Sequence, residues 1–345
     1  MITVKEIAQI CKVSPSTVSN ILNGRTNMSE ETRQRVLNTI QEIGYQPNFF
    51  AQSMRKQNSR IISIITEDLN QFGMAPIVEA AMAYCDDHEY RTILMNLRMY
   101  DKWSDTWFDD EEKLKKVLDP VVREALSIRV DGLLYVAGHC RVIGSLPEDL
   151  SIPAVMAYGL SRNERYPSVI IDDEKGSYDI MKYVIAKGHR KIGLIGGVEE
   201  NLHTRSRLLG YQKALFEENI LYNPFWVRYG DWTRQSGYRE TEYLLNEGVT
   251  AVFCMNDPMA AGVYDYLYEK KLTVGKDISV VGYDNRELSG YMTPGLTTSQ
   301  IQLREIGIRA AEILVGSLEE KAGVPDSGIV KIPCRLIERG SVGGT

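Results

Sequence analysis

The spacing of hydrophobic residues predicts three short helices in the first 45 positions of the chain. Thr3 and Glu6 have the spacing of a capping box, and the apolar residues of the segment VKEIAQIC repeat on one helical face. After a turn of about three residues, Ser14 and Pro15 start a second helix that ends near residue 22. Ser29 caps a third helix, which a glycine ends. This is the pattern of a helix-turn-helix unit.

Beyond residue 60 the pattern changes to short runs, rich in β-branched residues, that alternate with amphipathic stretches. The first set of runs is IISIIT, RTILMN, VDGLLYVA, PAVMAY and SVIID, and the second set is KIGLIGG, WVRYGD, TAVFCMN and ISVVGYD. Strands that alternate with helical segments predict parallel sheets with crossover helices. Two sets indicate two doubly wound lobes, in which ligands bind at the carboxyl ends of the strands.

Composition and charge fit a multidomain protein with one basic end. The 345 residues are 43% hydrophobic, which indicates two or three folded cores. The net charge of -6 is uneven, because residues 1–60 carry eight Lys and Arg against four Asp and Glu, a net of +4, which leaves -10 for residues 61–345. A small basic segment on an acidic body suits contact with nucleic acid.

Signals for export, cofactors and catalysis are missing from the sequence. No apolar run is long enough to span a membrane and no signal peptide is recognisable, so we expect a cytoplasmic protein. The five cysteines are scattered without a C-x-x-C pair, which indicates reduced thiols and no metal or cofactor. We do not expect an enzyme, because the glycines of GLIGG lack dinucleotide-binding spacing and no nucleophile elbow or Walker loop occurs.

The second predicted helix has a polar face suited to DNA. In a helix-turn-helix unit this helix lies in the major groove, and the exposed side chains of its N-terminal half contact base edges. Here those side chains belong to Pro15, Ser16, Ser19 and Asn20. The alternative is a small three-helix bundle that binds protein, which the basic charge of the segment disfavours.

The segments VKEIAQICKVSPSTVSNILNG and SEETRQRVLNTIQEIGYQPN resemble the lac/galactose repressor family of bacterial transcriptional regulators. The resemblance continues through SVIIDDEKG, GHRKIGLIGG, TRSRLLGY, GDW, MNDPMAAG, DISVVGYDN and PGLTTSQI, and thus covers essentially the whole chain. It implies a small all-α helix-turn-helix DNA-binding domain with a hinge helix. An α/β periplasmic-binding-protein-like sensor of two doubly wound parallel-sheet lobes would follow.

The resemblance assigns roles to the DNA-contacting residues. Thr17, Ser29 and Asn48 would hold phosphates, while Pro15, Ser16 and Asn20 would lie at the bases. The family usually has arginine where this chain has Asn20; arginine prefers guanine and asparagine prefers adenine, so we do not expect the usual family operator. The complete set of expected DNA contacts is Pro15, Ser16, Thr17, Ser19, Asn20, Asn23, Ser29, Asn48, Ala51 and Met54.

The segment PNFFAQSMRKQNSR, residues 47–60, is too short to be a stable helix by itself. The resemblance implies a hinge helix that forms only on DNA, with Met54 as the apolar wedge in the central minor-groove step. The alternative is a plain tether.

Domain boundaries follow from the pattern and the resemblance together. We expect a DNA-binding domain at 1–46 and a hinge at 47–60. The first sensor lobe would comprise 61–171 and 298–325. The second lobe would comprise 172–297, with 326–341 as its C-terminal part. The segment from Tyr100 to Asp119, with two tryptophans and many acidic residues, is predicted to be an acidic insertion before a helix, without an assigned function.

Candidate ligand contacts lie just after the predicted strands of the second lobe. Arg205 matches the family's effector arginine, and a guanidinium donates to two hydroxyls or to a carboxylate. Asp284 would accept hydrogen bonds from vicinal hydroxyls, and Trp232 would pack on a sugar ring. The second lobe also offers Asn256 and, more weakly, Asn201; the first lobe offers only weaker candidates, which are Phe72, His139 and Tyr158.

Together these features predict a repressor that binds a pseudo-palindromic operator as a homodimer and is controlled by a small molecule, with a sugar or small glycoside as the favoured effector. A nucleoside or purine effector is the alternative, and either sign of control, inducer or corepressor, is open. A tetramer is less expected, because no C-terminal leucine heptads follow the core. A solute-binding protein and an enzyme are the remote alternatives.

Overall fold

Side-chain caps set the start of the helices in the N-terminal unit, Met1–Ser59. The computed structural model describes residues 2–22, 28–45, 58–103, 110–321 and 328–344. The unit contains α1 (Val4–Ile10), α2 (Pro15–Leu22) and α3 (Glu30–Glu42). The predicted capping box is present, with the Thr3 N–H 2.7 Å from Glu6 Oε2 and the Glu6 N–H 3.3 Å from Thr3 Oγ1. Ile7, Val18 and Val36 are fully buried and form the centre of its core.

The second unit, Arg60–Thr345, begins with a six-stranded parallel sheet. Its strands are β1 (Ile61–Thr66), β2 (Arg91–Asn96), β3 (Gly132–Val136), β5 (Ala154–Ala157), β7 (Ser168–Ile171) and β13 (Ile329–Ile332), in the order β13-β7-β5-β3-β1-β2. The helices of this lobe are α4 (Met74–Asp87), α5 (Met99–Trp103), α6 (Glu111–Ser127) and α12 (Leu303–Leu318). A short parallel pair, β4 (Val142–Ile143) and β6 (Leu160–Ser161), follows β3 and β5.

The second lobe has the same design with one reversed edge. Its strands are β8 (Ile192–Gly196), β9 (Val227–Tyr229), β10 (Ala251–Cys254), β11 (Ser279–Asp284), β12 (Thr297–Gln300) and β14 (Arg335–Ile337), in the order β14-β12-β11-β10-β8-β9. Only β14 pairs antiparallel among these described strands. The helices are α7 (Asp173–Ala186), α8 (Leu202–Glu217), α9 (Arg234–Asn246), α10 (Asp257–Glu269) and the short α11 (Leu288–Tyr291), with a 3₁₀ turn at Pro224–Trp226.

The lobe boundaries differ from the predicted ones in two short strands. We expected residues 298–325 in the first lobe and 326–341 in the second, but β12 pairs with β11 of the second sheet and β13 pairs with β7 of the first. The chain therefore crosses between lobes after β7, after β12 and between β13 and β14. Both strands are only four residues long, and the pairing that assigns each of them to a sheet is not revealed by hydrophobic alternation.

Loops that follow strands of the two sheets contact each other, as Cys140 after β3 does with His203 near the start of α8. All six residues of β1 and all six of β11 are buried, as expected for strands covered by helices on both faces. One continuous cluster of buried side chains includes residues of both lobes. The loops that follow the strands are consequently the places where polar side chains of the two lobes meet.

Among the described helices, none is both long and apolar enough to cross a membrane.

Candidate DNA-contact helix and ligand cleft

Helix α2 begins with a cluster of hydroxyl groups. Ser14 Oγ accepts the Thr17 N–H at 3.1 Å, which satisfies one of the free donors of the first turn. The same oxygen lies 2.6 Å from Ser16 Oγ and 2.8 Å from Thr17 Oγ1. These contacts fix the start of the helix and hold its hydroxyls together on an exposed surface.

The two faces of α2 differ as the sequence predicts. Val18 and Ile21 are buried, whereas Pro15 and Ser16 are exposed. Thr17, Ser19 and Asn20 are half-buried, and Ser29 is exposed at the start of α3, where its Oγ accepts the Thr32 N–H at 3.4 Å. The expected contacts Asn23, Asn48, Ala51 and Met54 lie outside the described residues. The described part of the set thus forms a polar, accessible helix face.

Arg207 on α8 is the centre of a buried polar cluster at the carboxyl end of the second sheet. Its side chain is 3% exposed; Nε donates to Asp173 Oδ1 at 2.7 Å, and Nη1 donates to the carbonyl oxygen of Met255 and lies 3.8 Å from Asp284 Oδ1. The guanidinium carbon is 3.7 Å from the centre of the Tyr283 ring. Burial alone would lower the pKa of Arg207, but the combined attraction of Asp173, Tyr283 and Asp284 raises it, so the cation persists.

Arg205, the arginine expected at the ligand, does not join this cluster. Its side chain is exposed, whereas His203, Thr204 and Arg207 on the same helix are buried. Residues 203 and 207 share one helical face, and residue 205 projects about 200° away from residue 203. The structure therefore places Arg207, and not Arg205, in the buried polar cluster at the carboxyl end of the second sheet.

Two carboxyl groups, Asp257 and Asp284, lie together at the ends of neighbouring strands. Asp257 accepts the Thr298 hydroxyl at 2.7 Å and the Arg286 N–H at 2.6 Å, while Arg286 Nε donates to Asp284 Oδ2 at 3.0 Å. Burial, and secondly repulsion by Asp284, raise the pKa of Asp257 to about 7. Burial also raises the pKa of Asp284, against the pull of Arg207 and Arg286. The two carboxyl groups therefore lose their protons in linked steps rather than independently.

Asn256, Trp232 and Asn201 surround the cluster, and each also has a structural role. Asn256 Oδ1 accepts the Met259 N–H at 2.8 Å to cap α10, and Asn256 Nδ2 donates to the Trp232 carbonyl at 2.9 Å. The Trp232 ring lies so close to the chain that a Cβ on Gly197 would be 1.9 Å from it. Asn201 caps α8 by accepting the His203 N–H at 2.8 Å.

The first lobe contributes aromatic side chains that face the polar cluster of the second lobe. Tyr158 is 5% exposed, and its ring centre is 5.6 Å from that of His203 in the second lobe. Phe72 meets the second lobe through Arg286, whose guanidinium carbon is 3.9 Å from the Phe72 ring centre. His139 is half-buried, and burial lowers its pKa to about 2, which keeps the ring neutral. The three weaker sequence candidates of this lobe therefore lie at the boundary between the lobes.

Besides Arg207, sequence reasoning missed four polar residues of the site, which are Asp173, His203, Asp257 and Arg286. Asp173 accepts Nδ1 of His203 at 2.6 Å with one oxygen and Arg207 with the other. Burial alone would raise the pKa of Asp173, but Arg207 and His203 lower it to about 2. The i, i+4 spacing of His203 and Arg207 was the available signal, because it places both on one face of a helix.

Comparisons with known proteins agree with both units. Residues 3–48 match the family model described as bacterial regulatory proteins, lacI family, and residues 181–342 match that of a periplasmic binding protein-like domain. The HTH-type transcriptional repressor PurR of Escherichia coli O139:H28 is 33% identical over 99% of this chain and 97% of its own length. The ribose operon repressor of Haemophilus influenzae is 30% identical over 91% of each chain.

Among solved structures, the Lac repressor dimer bound to operator and the anti-inducer ONPF superposes with a TM-score of 0.78 at 28% identity. The match covers 99% of this chain and 98% of that chain. The helix-turn-helix unit and the two-lobed parallel-sheet architecture are therefore shared with a protein seen on DNA, and both agree with the predicted fold class.

Proposed function

Because the chain belongs to the lacI family of bacterial regulatory proteins and is a DNA-binding transcriptional repressor of that family, we propose that a small uncharged sugar or glycoside controls it. The ligand occupies the cleft between the lobes. Arg207 and Asp284 bind its hydroxyls, and Trp232 packs against its ring.

The balance of charge around Arg207 is the observation that carries this proposal. The Arg207 guanidinium faces two carboxyl groups, Asp173 and Asp284, and Arg286 is likewise matched by Asp284. An anionic ligand would bring a further negative charge against these carboxyl groups in a buried site. Hydroxyl groups donate to a carboxylate and accept from a guanidinium at the same time, so a neutral polyol satisfies both partners.

Two buried hydroxyls add support from either side of the cleft. Thr66 ends β1 and Thr204 lies near the end of β8, and within the described part of the chain neither Oγ1 has a hydrogen-bond partner. Buried polar atoms nearly always find a partner in the functioning state. A polar ligand, with the water that accompanies it, supplies such partners.

A purine or nucleoside is the second candidate, supported by the aromatic rings of Tyr158, Phe72 and Trp232 and by the similarity to PurR. Phe72, however, already has Arg286 over one face of its ring, which leaves at most the other face for a base. The similarity to a ribose operon repressor supports a sugar as much as the similarity to PurR supports a purine.

Thermal unfolding of the full chain separates the two candidates. We expect D-ribose, cellobiose or another neutral sugar to raise the Tm, since a ligand that binds only the folded state stabilises it. Asp284→Asn should remove the rise. A rise with guanine or hypoxanthine alone would favour the second candidate, and a rise with a phosphorylated sugar alone would contradict the neutral-ligand proposal.

At the DNA end, we propose that the chain binds as a homodimer and that Pro15, Ser16 and Asn20 contact the bases. Selection of operators from random duplexes tests this directly. Asn20→Arg should shift the preferred base from adenine to guanine by about 1–3 kcal/mol. Ser29→Ala, proposed to remove a phosphate contact, is the control, because it should weaken all sequences alike. An unchanged preference for Asn20→Arg would contradict the assignment.

A further inference from the structure

We propose that His203 is the latch between the two lobes, through one hydrogen bond to the backbone of the first lobe. The Cys140 N–H, in the loop after β3, donates to His203 Nε2 at 3.3 Å. His203 belongs to α8 of the second lobe and its side chain is 9% exposed. The contact joins the lobes directly, with no side chain of the first lobe required.

The second lobe fixes the imidazole in the form that this contact needs. Nδ1 of His203 carries a proton that it donates to Asp173 Oδ2 at 2.6 Å. Nε2 must then present its lone pair to the Cys140 N–H, so the ring is the neutral Nδ1–H tautomer. The groups around the ring are Asp173, Arg207 and Asp284 from the second lobe and Tyr158, His139 and Cys140 from the first.

The first lobe holds the donor in place with a buried ion pair. Glu67 is fully buried and accepts the Tyr135 hydroxyl at 2.5 Å and the Gly138 N–H at 2.5 Å. Arg141 binds the same carboxylate through two nitrogens at 2.7 and 3.1 Å. Cys140 lies in the sequence between Gly138 and Arg141, which are both bound to Glu67, so its N–H has little freedom to turn away from His203.

Asp173 links the latch to the proposed ligand site, because one oxygen accepts His203 and the other accepts Arg207. On the proposed function, a ligand that engages Arg207 shifts the carboxylate on which the latch depends. Ligand occupancy and lobe closure are thus coupled through one side chain, and the coupling is reciprocal.

Hydrogen exchange of the ligand-free full chain tests the latch at a single amide. His203→Asn retains a donor near Asp173 but is too short to reach Cys140, whereas His203→Gln places an amide oxygen near the position of Nε2. We expect the Cys140 amide to exchange about 10-fold faster in His203→Asn, the effect of losing one hydrogen bond. His203→Gln should stay within about 2-fold of wild type, since the bond is retained.

The Gly138 amide, bound to Glu67, is the internal control and should be unchanged in both variants, which separates loss of the latch from general unfolding. Asp173→Asn tests the link from the other side and should also speed exchange at Cys140. Equal Cys140 exchange in wild type, His203→Asn and Asp173→Asn would overturn the latch. If that result came with a normal sugar-induced rise in Tm, the latch would fail and the proposed function would stand. If instead His203 protected the Cys140 amide but no sugar raised the Tm, the latch would stand and the proposed function would fail.

Discussion

The DNA-contact helix and the ligand cleft are built in opposite ways. The proposed DNA contacts of α2 fall within six consecutive residues, 15–20, and their side chains are exposed or half-buried. The cleft instead collects residues from α7, α8 and the ends of β10 and β11, and its charged groups are buried and share partners. Removal of one group should therefore have local effects in the helix and collective effects in the cleft.

The largest effect is expected at Arg207. Arg207→Ala leaves Asp173 and Asp284 without their buried cation and should lower the free energy of unfolding of the sensor by about 3–5 kcal/mol. The ligand response should be lost with it. Urea denaturation followed by circular dichroism measures the first, and the sugar-induced shift in Tm measures the second.

Arg205→Ala is the matched control, since it removes an exposed arginine two positions away on the same helix. Its effect on stability should stay within about 0.5 kcal/mol. If Arg205→Ala abolished the ligand response and Arg207→Ala did not, the sequence-based assignment of Arg205 would be restored.

The next effect concerns pH and the pair Asp257 and Asp284. The pKa of Asp257 rises from 3.8 to about 7 on folding. The stability that this group contributes is therefore fully present below the unfolded pKa and is lost as the pH rises through 7. Asp257→Asn removes this titration, so its stability relative to wild type should increase by about 2–3 kcal/mol between pH ~5 and ~7.

Urea denaturation of both proteins across this range gives the comparison. Asn at position 257 still has an oxygen for the Arg286 N–H and a donor for the Thr298 hydroxyl, which limits structural damage. Parallel pH profiles for the two proteins would show that Asp257 does not hold its proton on folding.

The same contrast explains what the sequence could reveal. Caps and helical periodicity are local, and Thr3, Ser14 and Ser29 all cap or begin helices as predicted. The alternation of predicted strands with predicted helices likewise predicted two parallel-sheet lobes. The assignment of β12 and β13 failed because it depends on strand pairing, which hydrophobic alternation does not show. For β13 the partner is also more than 100 residues away, as between Ser168 and Ile329.

Strand-end position predicted Asp284 and Asn256, which the structure buries at the ends of β11 and β10, but it did not distinguish Arg205 from Arg207. That distinction requires the face of α8 that the core covers, which only tertiary packing defines. Cys140 contributes its backbone N–H rather than its side chain. Because every residue except proline has this donor, the residue type does not indicate which one is used. For this reason the contribution of the first lobe to the contact between the lobes was hard to identify from sequence.

Apart from the Arg205→Ala control, the smallest effect is expected at the start of α2. Ser14→Ala removes the oxygen that accepts the Thr17 N–H and should cost about 1 kcal/mol, because an exposed first turn is partly satisfied by water. Hydrogen exchange of the Val18 and Ile21 amides reports this loss without requiring the unit to be isolated. The sensor should show no change.

Asn256→Ala removes the equivalent cap from α10, but there the site is buried and the side chain also ties down the Trp232 carbonyl. Water has little access to the Met259 N–H and the Trp232 carbonyl that would lose their partner, so the cost should reach about 2–3 kcal/mol. A similar cost for the two substitutions would contradict the contrast, since it would mean that burial and shared partners add nothing to the cap in the cleft. A larger cost at Asn256 would locate the difference between the two regions in their exposure to water rather than in the type of interaction.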